Sequence, residues 1–148
     1  MSLVLSETVD SDFDRLMEIQ FAAFGQTGDS HREPMIDVMF PGGDTPAGQA
    51  AARDRTLEAL HSDPTAVFLK VTDSATGEIV GGAKWKVHPQ KPVFKQIEVD
   101  FCEGEEKEFT ELVMNFLYRG RVEKMGPDEG PYLCKLLVFN HSESVCCA

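Results

Sequence analysis

Residues 65–87, TAVFLKVTDSATGEIVGGAKWKV, constrain the fold of this chain more than any other stretch. Two apolar runs rich in β-branched residues, 66–72 and 79–87, flank a polar segment, 73–78. Gly77 can supply a positive φ, while Asp73, Ser74 and Thr76 can bond their own backbone, so the pattern predicts a β-hairpin. Helical patterns precede and follow the hairpin, and a further strand comes after them. That order narrows the fold sharply.

Ahead of the hairpin, residues 2–6 fit a short opening strand. Phe13, Leu16, Met17, Phe21 and Phe24 recur at helical spacing and predict a helix over 12–24 that buries an aromatic face. Ser11 with Asp14 three residues on resembles a capping box, and Gly25, Gly28 and Asp29 end the helix. Residues 26–44 read as irregular, with a helical turn over 35–40 and a bend at Pro41-Gly42-Gly43-Asp44. Thr45 as N-cap and Pro46 at the first helical position open an alanine-rich helix. Asp63-Pro64 stops it.

After a loop at 88–92, residues 93–101 alternate loosely through Phe94, Ile97, Val99 and Phe101, as a strand or an extended excursion. Residues 103–125 predict a long helix with Phe109, Leu112, Val113, Phe116 and Leu117 as its apolar stripe and Gly126 at the C′ position. Gly120 weakens its last turns by ~1 kcal/mol relative to alanine. Residues 132–139 form a short apolar strand interrupted only by Lys135, and 140–148 show no periodicity.

With 148 residues, 42% of them hydrophobic, the chain has apolar material for one globular domain with its own core. A formal charge of −11 argues against nucleic acid and anionic membrane as partners, because both favour clustered Lys and Arg. Glu103, Glu105, Glu106, Glu108 and Glu111 crowd one run, which reads as a solvated helix face or an acidic docking surface. Cys102, Cys134, Cys146 and Cys147 show no CxxC pair and no ligand spacing with the four histidines, so no metal is expected. The start has no basic n-region, and no run reaches ~18 apolar residues. A reducing, cytoplasmic location without membrane contact follows as the expectation.

The predicted order is strand, helix, helix, strand, strand, helix, strand. Together with the phrases RLMEIQFAAF (15–24), FPGG (40–43), DPTAVFLK (63–70), TGEIVGGAKW (76–85) and EGEEKE (103–108), it carries a family resemblance. Over residues 2–139 the chain resembles the N-terminal two thirds of a GNAT-family N-acetyltransferase, fungal members in particular. The resemblance implies an α/β (α+β) fold: a splayed mixed sheet with helices on both faces, its C-terminal part missing, over residues 1–139 with a divergent tail at 140–148. It further implies acetyl-CoA as co-substrate, bound where two central strands diverge, and direct acetylation of a small-molecule or peptide amine.

In that family the strand matching Leu136, Leu137, Val138 and Phe139 offers backbone groups to the pantetheine arm. A loop of pattern [Q/R]-x-x-G-x-[G/A] then cradles the pyrophosphate with backbone N–H groups and a helix N-terminus. Here the chain continues NHSESVCCA (140–148), with no glycine after Gly130. No phosphate loop can be assigned, and the tail reads as divergent or truncated.

Glu98 and Asp100 are the candidate catalytic carboxylates, since a general base must reach the ammonium of the acceptor; solvated carboxylates are the plain alternative. Phe24 and His31 fall where the resembling fold borders its acceptor site, and Trp85 is a candidate lining residue; surface-loop and core-packing roles stand beside these. The leading reading is an N-acetyltransferase at family level, with catalysis by these 148 residues alone not expected. Its alternative is a non-catalytic GNAT-like module that engages another protein or self-associates through the apolar sheet edge left by residues 133–139.

Overall fold

Polar groups at the tip of the hairpin satisfy one another. Gly77 takes φ 75°, the Gly77 N–H donates to the Asp73 carbonyl at 2.8 Å, and the Asp73 N–H donates to the Glu78 carbonyl at 2.9 Å. The Asp73 carboxylate accepts from the Ala75 N–H at 3.0 Å, and the Thr76 hydroxyl from the Glu78 N–H at 3.2 Å. This local closure fixes which residues of the two strands face one another.

The protein is described by a computed structural model covering residues 2–24, 34–125 and 131–140. Its elements are β1 (Leu3–Glu7), α1 (Phe13–Phe24), α2 (Pro34–Met39), α3 (Pro46–Ser62), β2 (Ala66–Asp73), β3 (Ile79–His88), α4 (Gly104–Lys124) and β4 (Tyr132–Asn140). The four strands form one sheet in the order β1-β2-β3-β4. β1 and β3 both run antiparallel to β2, with Leu5 opposite Val71 and Phe68 opposite Lys84. Val71 pairs with Gly81 and Thr72 with Ile79, so Val80 is the extra residue of a β-bulge.

Two compact units emerge. One runs up to Lys86 and takes in the strand from Cys134; the other is Val87–Leu133. In the first, Phe13, Leu16 and Ile19 of α1 are completely buried against Phe68 of β2. The Phe13 and Phe68 rings meet edge-on at 5.1 Å, a favoured aromatic geometry. Leu57 and Leu60 of α3 close over the same cluster. A second cluster joins Met17 and Phe21 to Ile36 of α2 and Ala52 of α3. The aromatic face expected of the first helix is thus the centre of this core.

The start of α1 differs from expectation. A 3-10 turn, Asp10–Asp12, precedes Phe13, and the Asp12 carboxylate accepts from the Val9 N–H at 2.8 Å. The capping contact is made between Val9 and Asp12, two residues ahead of the Ser11–Asp14 pairing. The same Asp12 oxygen also accepts from the Lys70 ammonium at 2.6 Å. α3 begins as expected: Thr45 Oγ1 accepts from the Gly48 N–H at 3.1 Å, with Pro46 at the first helical position.

In the second unit the open choice at 93–101 resolves to an extended excursion with no strand. Side chains of α4 hold its backbone instead. Asn115 accepts from the Ile97 N–H at 2.7 Å and donates to the Ile97 carbonyl at 2.9 Å, while Glu111 accepts from the Val99 N–H at 2.9 Å. The expected stripe of α4 does not lie in a core: Phe109, Leu112 and Phe116 are 57%, 68% and 77% exposed. The helix-ending roles expected of Gly25, Gly28, Asp29 and Gly126 fall outside the described residues.

Candidate functional site

β4 is the last strand of the sheet, with β3 as its neighbour on one side. Among the described residues no strand flanks its other side. Leu136, Leu137, Val138 and Phe139 lie on this strand. Trp85 sits on the adjacent β3, half-buried and opposite Val67. Phe24 is the last residue of α1 and packs on the rims of both core clusters. His31 lies outside the described residues, as does the 141–148 stretch.

Glu98 and Asp100 belong to the other unit, both exposed on the excursion pinned by Asn115 and Glu111. Val99 between them is buried. Beside this segment, within the same unit, a shallow cleft of about 340 Å³ is lined by Phe94, Glu108, Glu111, Asn115 and Arg119 among others. The Arg119 guanidinium lies 4.9 Å over the Phe94 ring, a cation–π arrangement.

Sequence reasoning did not single out two polar side chains of the first unit, half-buried Lys84 and buried Gln20. Lys84 stands opposite Phe68, with its ammonium 5.7 Å from the ring centroid. Burial pushes the Lys84 ammonium below the usual lysine range and the neighbouring charge of Lys86 pushes the same way, while Asp63 opposes them. Lys86 takes the Asp63 carboxylate at 2.6 Å. The signal was strand alternation, which puts Lys84 on the face of Phe68 and Trp85 on the other. Gln20 is 1% exposed, and neither atom of its amide has a hydrogen-bond partner. Its spacing from Phe13 and Leu16 places it within the apolar stripe, a position where an amide carries a desolvation cost.

Among the described residues no helix is long and apolar enough to cross a membrane. No group of three or more His, Cys, Asp or Glu among them is arranged to hold a metal ion.

No protein-family model and no curated protein matches the sequence. Solved structures do match. A structure described as histone acetyltransferase HPA2 and related acetyltransferase, from Corynebacterium glutamicum, aligns with 97% of this chain and 62% of its own length, at TM-score 0.51 and 18% identity. A GNAT family acetyltransferase from Staphylococcus aureus aligns with 97% of this chain and 66% of its own, at TM-score 0.42 and 13% identity. An aminoglycoside 6'-N-acetyltransferase from Acinetobacter baumannii covers 82% of this chain and 71% of its own, at TM-score 0.36 and 7% identity. The first of these carries the structural argument. The chain shares the α/β fold of that structure, and it spans about 62% of the Corynebacterium structure's length.

Proposed function

We propose that the protein is a GNAT-type N-acetyltransferase that takes acetyl-CoA as co-substrate and an amine of a small molecule or peptide as acceptor, in the cytoplasm. The supporting observation is the fold, matched along 97% of the chain by an acetyltransferase structure. The open edge of β4 is the feature that suits a pantetheine arm, through backbone groups of Leu136–Phe139. Residues 136–148 contain no glycine, lysine or arginine.

In the proposed reaction the neutral amine attacks the thioester carbonyl; the N–C bond forms, the C–S bond breaks, and the thiolate of CoA leaves. A backbone N–H of the Leu136–Phe139 strand stabilises the developing oxyanion. Glu98 or Asp100 takes the proton of the ammonium. Phe24 and Trp85 are the proposed borders of the acceptor site, and His31, named with them from the sequence, lies outside the described residues. The glycine-free, cation-free run 136–148 favours a second reading, a GNAT-like module without catalysis.

Calorimetry with acetyl-CoA on the purified 148-residue protein separates the two, with desulfo-CoA as a control for thiol exchange at the cysteines. Saturable binding near one site per chain is expected. Glu98→Gln and Asp100→Asn should then leave binding intact and lower thiol release with an amine acceptor. No heat from a folded protein overturns the enzyme reading in favour of the module.

A further inference from the structure

Apart from its exposed row, Phe109, Leu112 and Phe116, α4 turns polar side chains to the excursion at 93–101. The Asn115 amide has its oxygen and its nitrogen both committed. The oxygen accepts from the Ile97 N–H at 2.7 Å; the nitrogen donates to the Ile97 carbonyl at 2.9 Å and to the Glu111 carbonyl, one turn back, at 2.7 Å. Reversing the amide would break all three bonds, so the side chain has one orientation. Glu111 adds a further grip, its carboxylate accepting from the Val99 N–H at 2.9 Å.

These bonds bracket one residue. The Ile97 carbonyl belongs to the peptide that enters Glu98, and the Val99 N–H belongs to the peptide that leaves it. Both peptide planes around the Glu98 Cα are bonded to α4, and the two planes together set the φ and ψ between them. Val99 is buried, and in an extended chain neighbouring side chains point to opposite sides. The exposed Glu98 carboxylate is therefore carried outward on a backbone held at both of its peptides. Asp100 is exposed as well, one residue beyond the bracket. A general base gains from such fixed geometry, because proton transfer needs it within hydrogen-bond reach of the amine.

On the acetyltransferase reading, on which this assignment depends, we propose that Glu98, and not Asp100, accepts the proton of the acceptor ammonium, with Asn115 and Glu111 as its positioning residues. The ammonium N–H bond breaks, an O–H bond forms on the Glu98 carboxyl, and the neutral amine goes on to the thioester.

The test is thiol release from acetyl-CoA with a panel of primary amines, a polyamine and a lysine-bearing peptide among them. Acetyl-CoA affinity by calorimetry and amide exchange at Ile97 and Val99 are measured on the same full-chain variants. Glu98→Gln should lower kcat at least ~100-fold and Asp100→Asn by less than ~10-fold. Asn115→Ala should lower kcat roughly 10-fold, leave the acetyl-CoA dissociation constant unchanged, and speed exchange at Ile97 and Val99. Added to Glu98→Gln it should lower kcat no further, because nothing is left to position; a general structural role would lower it again. Glu111→Gln, whose amide oxygen can still accept from the Val99 N–H, should lose less than Glu111→Ala. An active wild type in which Asp100→Asn is the more damaging carboxylate variant, or Asn115→Ala is equally harmful beside Glu98→Gln, overturns the assignment and leaves the acetyltransferase reading standing. A wild type that binds no acetyl-CoA, or acetylates no amine of the panel, overturns both. Unchanged exchange at Ile97 and Val99 in Asn115→Ala overturns the bracket whatever the activity.

Discussion

α1 and α4 carry apolar stripes of the same period and meet opposite fates. Phe13 and Leu16 of α1 are fully buried, while the α4 row is more than half exposed at each of its three positions. α1 has partners: Phe68 comes from the hairpin, and Leu57 and Leu60 come from α3. α4 makes its local contacts with the other side of the helix, through Asn115 and Glu111 to backbone and through Tyr118 and Arg119 to the Phe94 ring. Periodicity states which residues share a face. Whether that face is covered depends on elements far away in sequence, or on another molecule.

The sharpest way to break this comparison is to truncate one leucine on each helix. Leu16→Ala removes packing from a cluster without solvent and should cost about 3–4 kcal/mol. Leu112→Ala removes a side chain already in water, and stability should move by less than ~0.5 kcal/mol. Urea unfolding at low protein concentration reads both. An equal loss at the two positions would mean that the α4 row is buried in solution.

Glycines sharpen the contrast with one substitution of opposite sign. A Cβ on Gly48, in the first turn of α3, would run into the backbone carbonyl of Gly42. Backbone cannot rotate away as a side chain can. Gly48→Ala should therefore destabilise by about 1–3 kcal/mol despite alanine's better helix propensity. Gly120 in α4 has nothing within 4 Å of the same position, so Gly120→Ala should stabilise by ~0.5–1 kcal/mol. Thermal unfolding of the two variants separates a helix packed at its start from one that stands clear.

What was legible in the sequence was local. Gly77 with Asp73 and Thr76 specifies the hairpin tip, and Thr45-Pro46 specifies the start of α3, because each signal and its partner lie within a few residues. The start of α1 was misassigned within the run DSDFD (10–14), where several side chains could cap and the 3-10 turn selects Asp12. The brace between Asn115 and Ile97 spans 18 residues and joins a side chain to backbone, so no periodicity announces it. The candidate site was legible to the same degree. Strand assignment put Trp85 and Leu136–Phe139 on two strands, and only the sheet order makes those strands neighbours. Lys84 needed the register of β2 against β3, and Gln20 needed the depth of α1.

An acid limb of stability belongs to the first unit. Burial opposes ionisation of Asp63, but the Lys86 ammonium at 2.6 Å outweighs it together with the Thr65 hydroxyl and N–H at 2.6 and 2.9 Å, leaving the carboxyl at about 2. The ordinary value, which the unfolded chain takes, is 3.8. A carboxyl depressed on folding contributes stability above its unfolded value and loses it as the pH falls, here between about 4 and about 2. Because Asp63 is partly solvated, the contribution is on the order of 1 kcal/mol. Asp63→Asn should be less stable than wild type by that amount at neutral pH, and the two curves should converge near pH 2. In amide exchange at neutral pH the loss should fall on the C-terminal turn of α3 and the start of β2, which Asp63 joins, and leave α4 unchanged. On α4 the partly exposed Lys107–Glu111 pair, 3.6 Å apart, is an i, i+4 ion pair contributing no more than ~0.5 kcal/mol. Equal loss of protection in both units would show that they unfold as one, and the division between a packed helix and an uncovered one would then have no counterpart in stability.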